Sequence, residues 1–171
     1  MSDSSLETIS RNDLRRLARI ALEEREDFFA RHPEWSILYR KRVLASALCG
    51  DAALHFLNGS SGFGEFQVWT FYAEQTEAAY PPHQVSHRDF GPSRFGRAPD
   101  QQAYHGRRVE LTGRSLHCRP DDSPVETLQL YLRRGETPSA RDLRQKALVL
   151  IEPEHCLGYV VWPTLVVSAG R

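Results

Sequence analysis

The chain has 171 residues, 40% of them hydrophobic and 26% charged, and its 22 basic and 22 acidic residues give a formal net charge of zero. That balance excludes wholesale disorder and argues against a nucleic-acid binder that works by bulk positive charge. The length suits one domain, expected over 11–171 behind a flexible start at 1–10.

The basic residues are arginine except for Lys41 and Lys146, a bias that fits either phosphate recognition by guanidinium forks or the coding preference of a genome. No apolar run approaches the roughly 20 residues of a spanning helix, and MSDSSLETIS has neither the basic start nor the apolar centre of a signal peptide. A cytoplasmic protein without a membrane partner is expected. Cys49, Cys118 and Cys156 are too few and too scattered for a disulfide framework and are expected to be reduced.

In chain order, Leu14, Leu17, Ala18, Ala21, Leu22, Phe28 and Phe29 follow helical spacing behind a Ser10/Asp13 capping pair, which predicts a helix to about residue 30. Pro33 interrupts it, and WSILYRKRVLASALCG continues into an apolar segment, helix or strand, that ends at Gly50. AALHFLNG (52–59) reads as a short helix closed by Asn58-Gly59, NGSSGFG as a turn, and EFQVWTFY as a strand. A second strand is expected at 107–116. Between the strands, 80–106 is rich in Pro, Gly and Arg, a connection long enough to be functional or mobile. SPVETLQLYLRRG has Ser123 and Glu126 as a capping box, Pro124 at the first helical position and Gly135 at the end. A further helix is expected at about 140–151, from Ser139 and Asp142, then a strand in CLGYVVW and another in TLVVS. The fold class expected is α+β, a short mixed sheet packed against helices.

Nucleotidyl transfer needs hard divalent ions, which prefer carboxylate oxygens in a fixed array. An acid-apolar-acid triplet on a strand puts two carboxylates on one face, and a third acid on the next strand completes the clamp. Cys49-Gly50-Asp51-Ala52-Ala53-Leu54, then Glu65-Phe66-Gln67-Val68 with 13 residues between Asp51 and Glu65, and later Val109-Glu110-Leu111, follow this plan. The stretch resembles the nucleotidyltransferase superfamily, most closely its abortive-infection (AbiEii-like) and minimal nucleotidyltransferase branch, whose members carry Gly-Gly-Thr-Ala-Leu, a short helix and an acid-apolar-acid strand. The resemblance covers roughly 43–116. It implies Glu65, Gln67 and Glu110 as the catalytic set, Glu65 and Glu110 as Mg²⁺ ligands, and Gly50 and Asp51 beside the phosphates of a nucleoside triphosphate, with Arg88 and Arg94 neutralising them. Two positions depart from the pattern. Asp51 replaces a small residue and would repel phosphate unless a metal intervenes, and Gln67 replaces the second acid and brings no charge to an ion.

SHRDFG combines two protein-kinase signatures by chance, without the glycine loop, strand lysine and spacing a kinase needs. Arg88, Arg94, Arg97, Arg107 and Arg108 either gather around phosphates or are ordinary loop arginines. His117-Cys118 and His155-Cys156, with Cys49 and His55, have the wrong spacing for familiar zinc sites. Gly59-Ser60-Ser61-Gly62 lacks the frame of a nucleophile elbow. Three functional readings follow: a nucleotidyltransferase that uses Mg²⁺ and acts on a protein or nucleic-acid hydroxyl; a non-catalytic descendant serving as a binding or regulatory partner, as in a defence or toxin-antitoxin pair; and an unrelated α+β binding module.

Overall fold

In the computed structural model, which describes residues 6–80 and 84–164, the capping box at Ser10 is formed. The Ser10 hydroxyl accepts from the Asp13 N–H at 3.2 Å, and the Asp13 carboxylate accepts from the Ser10 N–H at 2.7 Å. Helix α1 (Arg11–Arg31) starts there, and Leu14, Leu17 and Ala21 bury its apolar stripe. The expected flexible start falls in part on residues 1–5, outside the described residues; Ile9 already lies in the core. Pro33 opens α2 (Pro33–Tyr39) at the position where its missing N–H costs nothing.

The apolar segment that follows is a strand, β1 (Val43–Cys49), buried on both faces, which explains why its sequence lacks alternation. Next come α3 (Gly50–Asn58), ended by left-handed Gly59, and β2 (Phe66–Ala73). The connection at 80–106 holds a strand that its polar sequence conceals, β3 (Val85–Asp89), before β4 (Arg108–Leu116). Helix α4 (Pro124–Arg134) has the expected Ser123 cap and Gly135 end.

The helix expected at 140–151 is corrected. Helix α5 is only Pro138–Leu143, capped by Thr137, and residues 148–152 form strand β5 (Leu148–Glu152). The run LVLI is apolar at every position, so helical spacing and a strand buried on both faces fit it equally; its place between two strands decides. Of CLGYVVW only Val160–Trp162 is a strand, β6, after a 3₁₀ turn at Glu154–Cys156. The TLVVS strand lies almost wholly outside the described residues.

Among the described residues the architecture is α+β: one six-stranded mixed sheet in the order β3-β4-β2-β1-β5-β6, with helices on both faces. Strands β2 and β4 are parallel, and the other neighbouring pairs are antiparallel. On one face, α1 and α3 pack on Leu48, Val68, Val109, Val149 and Ile151. On the other, Leu128, Leu132 and Leu143 of α4 and α5 pack on Ala45, Ala47, Phe71, Leu148 and Leu150. Polar groups cross the first core in a satisfied chain. Arg25 donates to both oxygens of Glu152 at 3.2 and 2.9 Å, Ser46 donates to Glu152 at 2.9 Å, and the Ser46 and Thr70 hydroxyls bond at 3.1 Å.

Candidate functional site

Register decides which of the expected site residues meet. Cys49 lies opposite Gln67, Gln67 opposite Glu110, and Glu110 opposite His87, so four side chains form one row across β1, β2, β4 and β3. Residues directly opposite share a face, and neighbouring strands lie about 4.8 Å apart. Gln67 and Glu110 are therefore side by side on the face away from α1. Glu65, two residues before Gln67, stands just ahead of β2. The same register places it toward Arg108, two residues before Glu110.

That juxtaposition sets the chemistry of the site. Arg108 donates to Glu65 Oε2 from Nε at 2.8 Å, and its Nη2 lies 2.7 Å from the same oxygen. Donating to the Glu65 carboxylate holds the pKa of the Arg108 guanidinium above its usual value. Glu110 has His87 Nε2 at 3.7 Å. Both acids expected to ligate a metal thus face a basic side chain.

The glycine turn is equally specific. Gly50 has φ 66°, in the left-handed region that favours glycine, and a Cβ there would collide with Gln67 Oε1. The close approach permitted by the missing side chain is taken by the glutamine's own carboxamide. Asp51, at the first turn of α3, pairs with Lys146 Nζ at 2.5 Å.

Comparison with models of known families, curated proteins and solved structures gives no match to this chain.

The two loop arginines expected near phosphate are elsewhere. Arg88 alternates to the opposite face from His87 and holds α1 through Glu24 at 2.7 Å and Asp27 at 2.5 Å. Arg94 also holds the start of α1, through Asp13 and through Glu7 at 3.6 Å, with its guanidinium 4.4 Å from the Phe95 ring. Arg97 donates to the Gln102 carbonyl at 3.2 Å and Arg107 to the carbonyls of Phe95 and Phe63 at 3.1 and 2.9 Å. Burial lowers the Arg107 guanidinium from its ordinary value. Asp89, in the kinase-like SHRDFG, accepts from the N–H groups of Gly91, His105 and Gly106 at 2.8, 2.7 and 3.0 Å. Burial alone would raise its carboxyl, but these three donors hold it below the usual carboxylate range. The arginine-rich loop is fastened by its own charged groups.

Among the described residues no group of three or more His, Cys, Asp or Glu is placed to hold one ion. Glu65 is engaged by a guanidinium, Gln67 is neutral, and Asp51 is tied to Lys146. His55 is buried with both nitrogens occupied: Nδ1 accepts from the Gly62 N–H at 3.0 Å, so Nε2 carries the proton toward the Glu7 carbonyl at 2.6 Å. It clamps the chain before α1 to the glycine turn. Among the described residues no helix is long and apolar enough to cross a membrane.

Arg108, His87 and Lys146 are the members of this site that reading for acids overlooks. A signal for Arg108 is present in the sequence. Once Gln67 is set opposite Glu110 on parallel strands, Glu65 must fall toward Arg108.

Proposed function

We propose that this chain is a non-catalytic protein with a nucleotidyltransferase-like plan, acting as a binding or regulatory partner and not in nucleotidyl transfer. The kinship is supported by the order of parts: a strand, a left-handed glycine turn, a short helix, a strand with Glu65 just before it and Gln67 near its start, and Glu110 in register on the strand beside it. The loss of catalysis rests on one observation. The carboxylate that should head the metal array is held by Arg108 at 2.7 Å. A divalent ion entering there would have to displace a guanidinium and would find a neutral amide as the next ligand, and each change weakens the attraction that hard cations require.

Thermal unfolding with Mg²⁺ and each nucleoside triphosphate tests this. No saturable, metal-dependent rise in Tm is expected, and no release of pyrophosphate. Either one, at nucleotide concentrations below about 1 mM, the upper end of ordinary substrate affinities, would overturn the proposal. Gln67→Asp supplies the complementary test, because it sets two carboxylates side by side on β2 and β4. It should create weak divalent-ion binding in a calorimetric titration where the native chain has none; unchanged behaviour would count against the convergence of these side chains.

A further inference from the structure

On the face away from α1, the C-terminal half of β4 runs beside α4 with a groove of about 230 Å³ between them. Arg114 and Leu116 line it from the strand, and Leu130, Tyr131 and Arg134 from the helix. Leu130, an apolar side chain of the lining, is 44% exposed. The groove lies beyond the row of Gln67 and Glu110 and shares no residue with it.

Its charge differs from that of the cavity on the α1 face. The cavity of about 270 Å³ between α1 and the sheet is lined by Glu24 and Arg25, already paired with Arg88 and Glu152. In the β4–α4 groove, neither Arg114 nor Arg134 has a carboxylate partner among the described residues, whose ion pairs engage other cations. Arg114 is held in place by donating from Nη1 to the Ser139 hydroxyl at 3.0 Å, which leaves other guanidinium N–H groups to point elsewhere. The Tyr131 and Thr137 hydroxyls, 3.1 Å apart, add polar groups to the wall. The partial negative charge at the end of α4 is offset by Arg144, which donates to the carbonyls of Leu132 and Arg133, each at 3.4 Å. Glu136 is the one acid along the lining, and it is exposed.

We propose that this groove binds a small organic phosphate monoester, independently of the reading of the Gln67 and Glu110 row. Two guanidiniums and neighbouring hydroxyls match the three terminal oxygens and double charge of a phosphate better than the two oxygens and single charge of a carboxylate. Leu116, Leu130 and Tyr131 supply an apolar wall for the organic part. The volume suits a ligand smaller than the drug-sized molecules that fill pockets of about 300 Å³ or more, on the scale of one ring with its phosphate.

The full chain is titrated with phenyl phosphate, inorganic phosphate and benzoate by calorimetry at low salt. Phenyl phosphate is expected to bind at one saturable site, about tenfold more tightly than inorganic phosphate because its ring is buried, and more tightly than benzoate. Arg134→Gln, on an exposed helical position, should weaken phenyl phosphate about fivefold or more without changing Tm, and Arg114→Gln should do the same. Lys41→Gln, outside the groove, should change nothing. No saturable binding of phenyl phosphate, benzoate binding as tightly as phenyl phosphate, or an unchanged affinity in Arg134→Gln would each overturn the proposal.

Discussion

Replacing Arg25 with methionine removes a charge from the core while keeping most of its bulk. The Arg25 side chain is 7% exposed and that of Glu152 29% exposed, and the two make a bidentate pair. After Arg25→Met the Glu152 carboxylate keeps only the Ser46 hydroxyl from this network. Breaking a buried pair from one side costs about 3–5 kcal/mol, since the remaining charge stays desolvated. Water can reach Glu152 in part, so the low end applies, about 3 kcal/mol. For 171 residues at about 2.1 cal/mol/K each, the unfolding entropy is about 0.36 kcal/mol/K, and Tm should fall by about 8 °C. Urea unfolding followed by tryptophan fluorescence measures the loss directly. The double variant Arg25→Met with Glu152→Leu should recover most of it, because no charge then remains to be desolvated. A cost below about 1 kcal/mol for the single change, or a double variant no more stable than the single, would refute the reasoning.

Three further outcomes are expected. Gly50→Ala should cost about 2 kcal/mol, about half from the left-handed backbone and the rest from displacing Gln67; in a Gln67→Ala background only the backbone part should remain, which chemical denaturation resolves. Burial would raise the Asp13 carboxyl, but Arg94 and Ser10 hold it below its ordinary value. Its contribution is therefore full above the unfolded value near 4 and is lost as pH falls through the lower folded value. Asp13→Asn should flatten the acid limb of the stability–pH curve below about pH 4, and an unaltered limb would contradict the assignment. Asp89→Ala should speed amide exchange at Gly91, His105 and Gly106 together, the three N–H groups its carboxylate binds, with little change in strands β1 and β5.

Much of the fold was legible where a local signal acts alone. The Ser10 and Ser123 caps, the Gly59 and Gly135 ends and the aromatic alternation of β2 each fix an element through short-range chemistry. Strand β5 was not legible, because LVLI is apolar throughout and only its neighbours β1 and β6 choose extended backbone. Strand β3 was hidden because an edge strand can be polar at most positions, and Val85-Ser86-His87-Arg88-Asp89 carries no alternation. Within the site, placing Gln67 beside Glu110 requires a register between strands more than 30 residues apart in sequence. Pattern reading found the acids of the site, while the cations opposite them depend on how the strands align.

Strand β3 forms one rim of the sheet, where unpaired backbone groups invite strand-to-strand aggregation. Its sequence answers that hazard with a histidine, an arginine and an aspartate in succession, and Arg88 is moored to Glu24 and Asp27 of α1. A second molecule adding its strand to this border would have to accommodate those charges. Replacing them with β-branched apolar residues would cut the ties of Arg88 to α1 and of Asp89 to the loop, and would turn a quiet border into a template for fibrous growth.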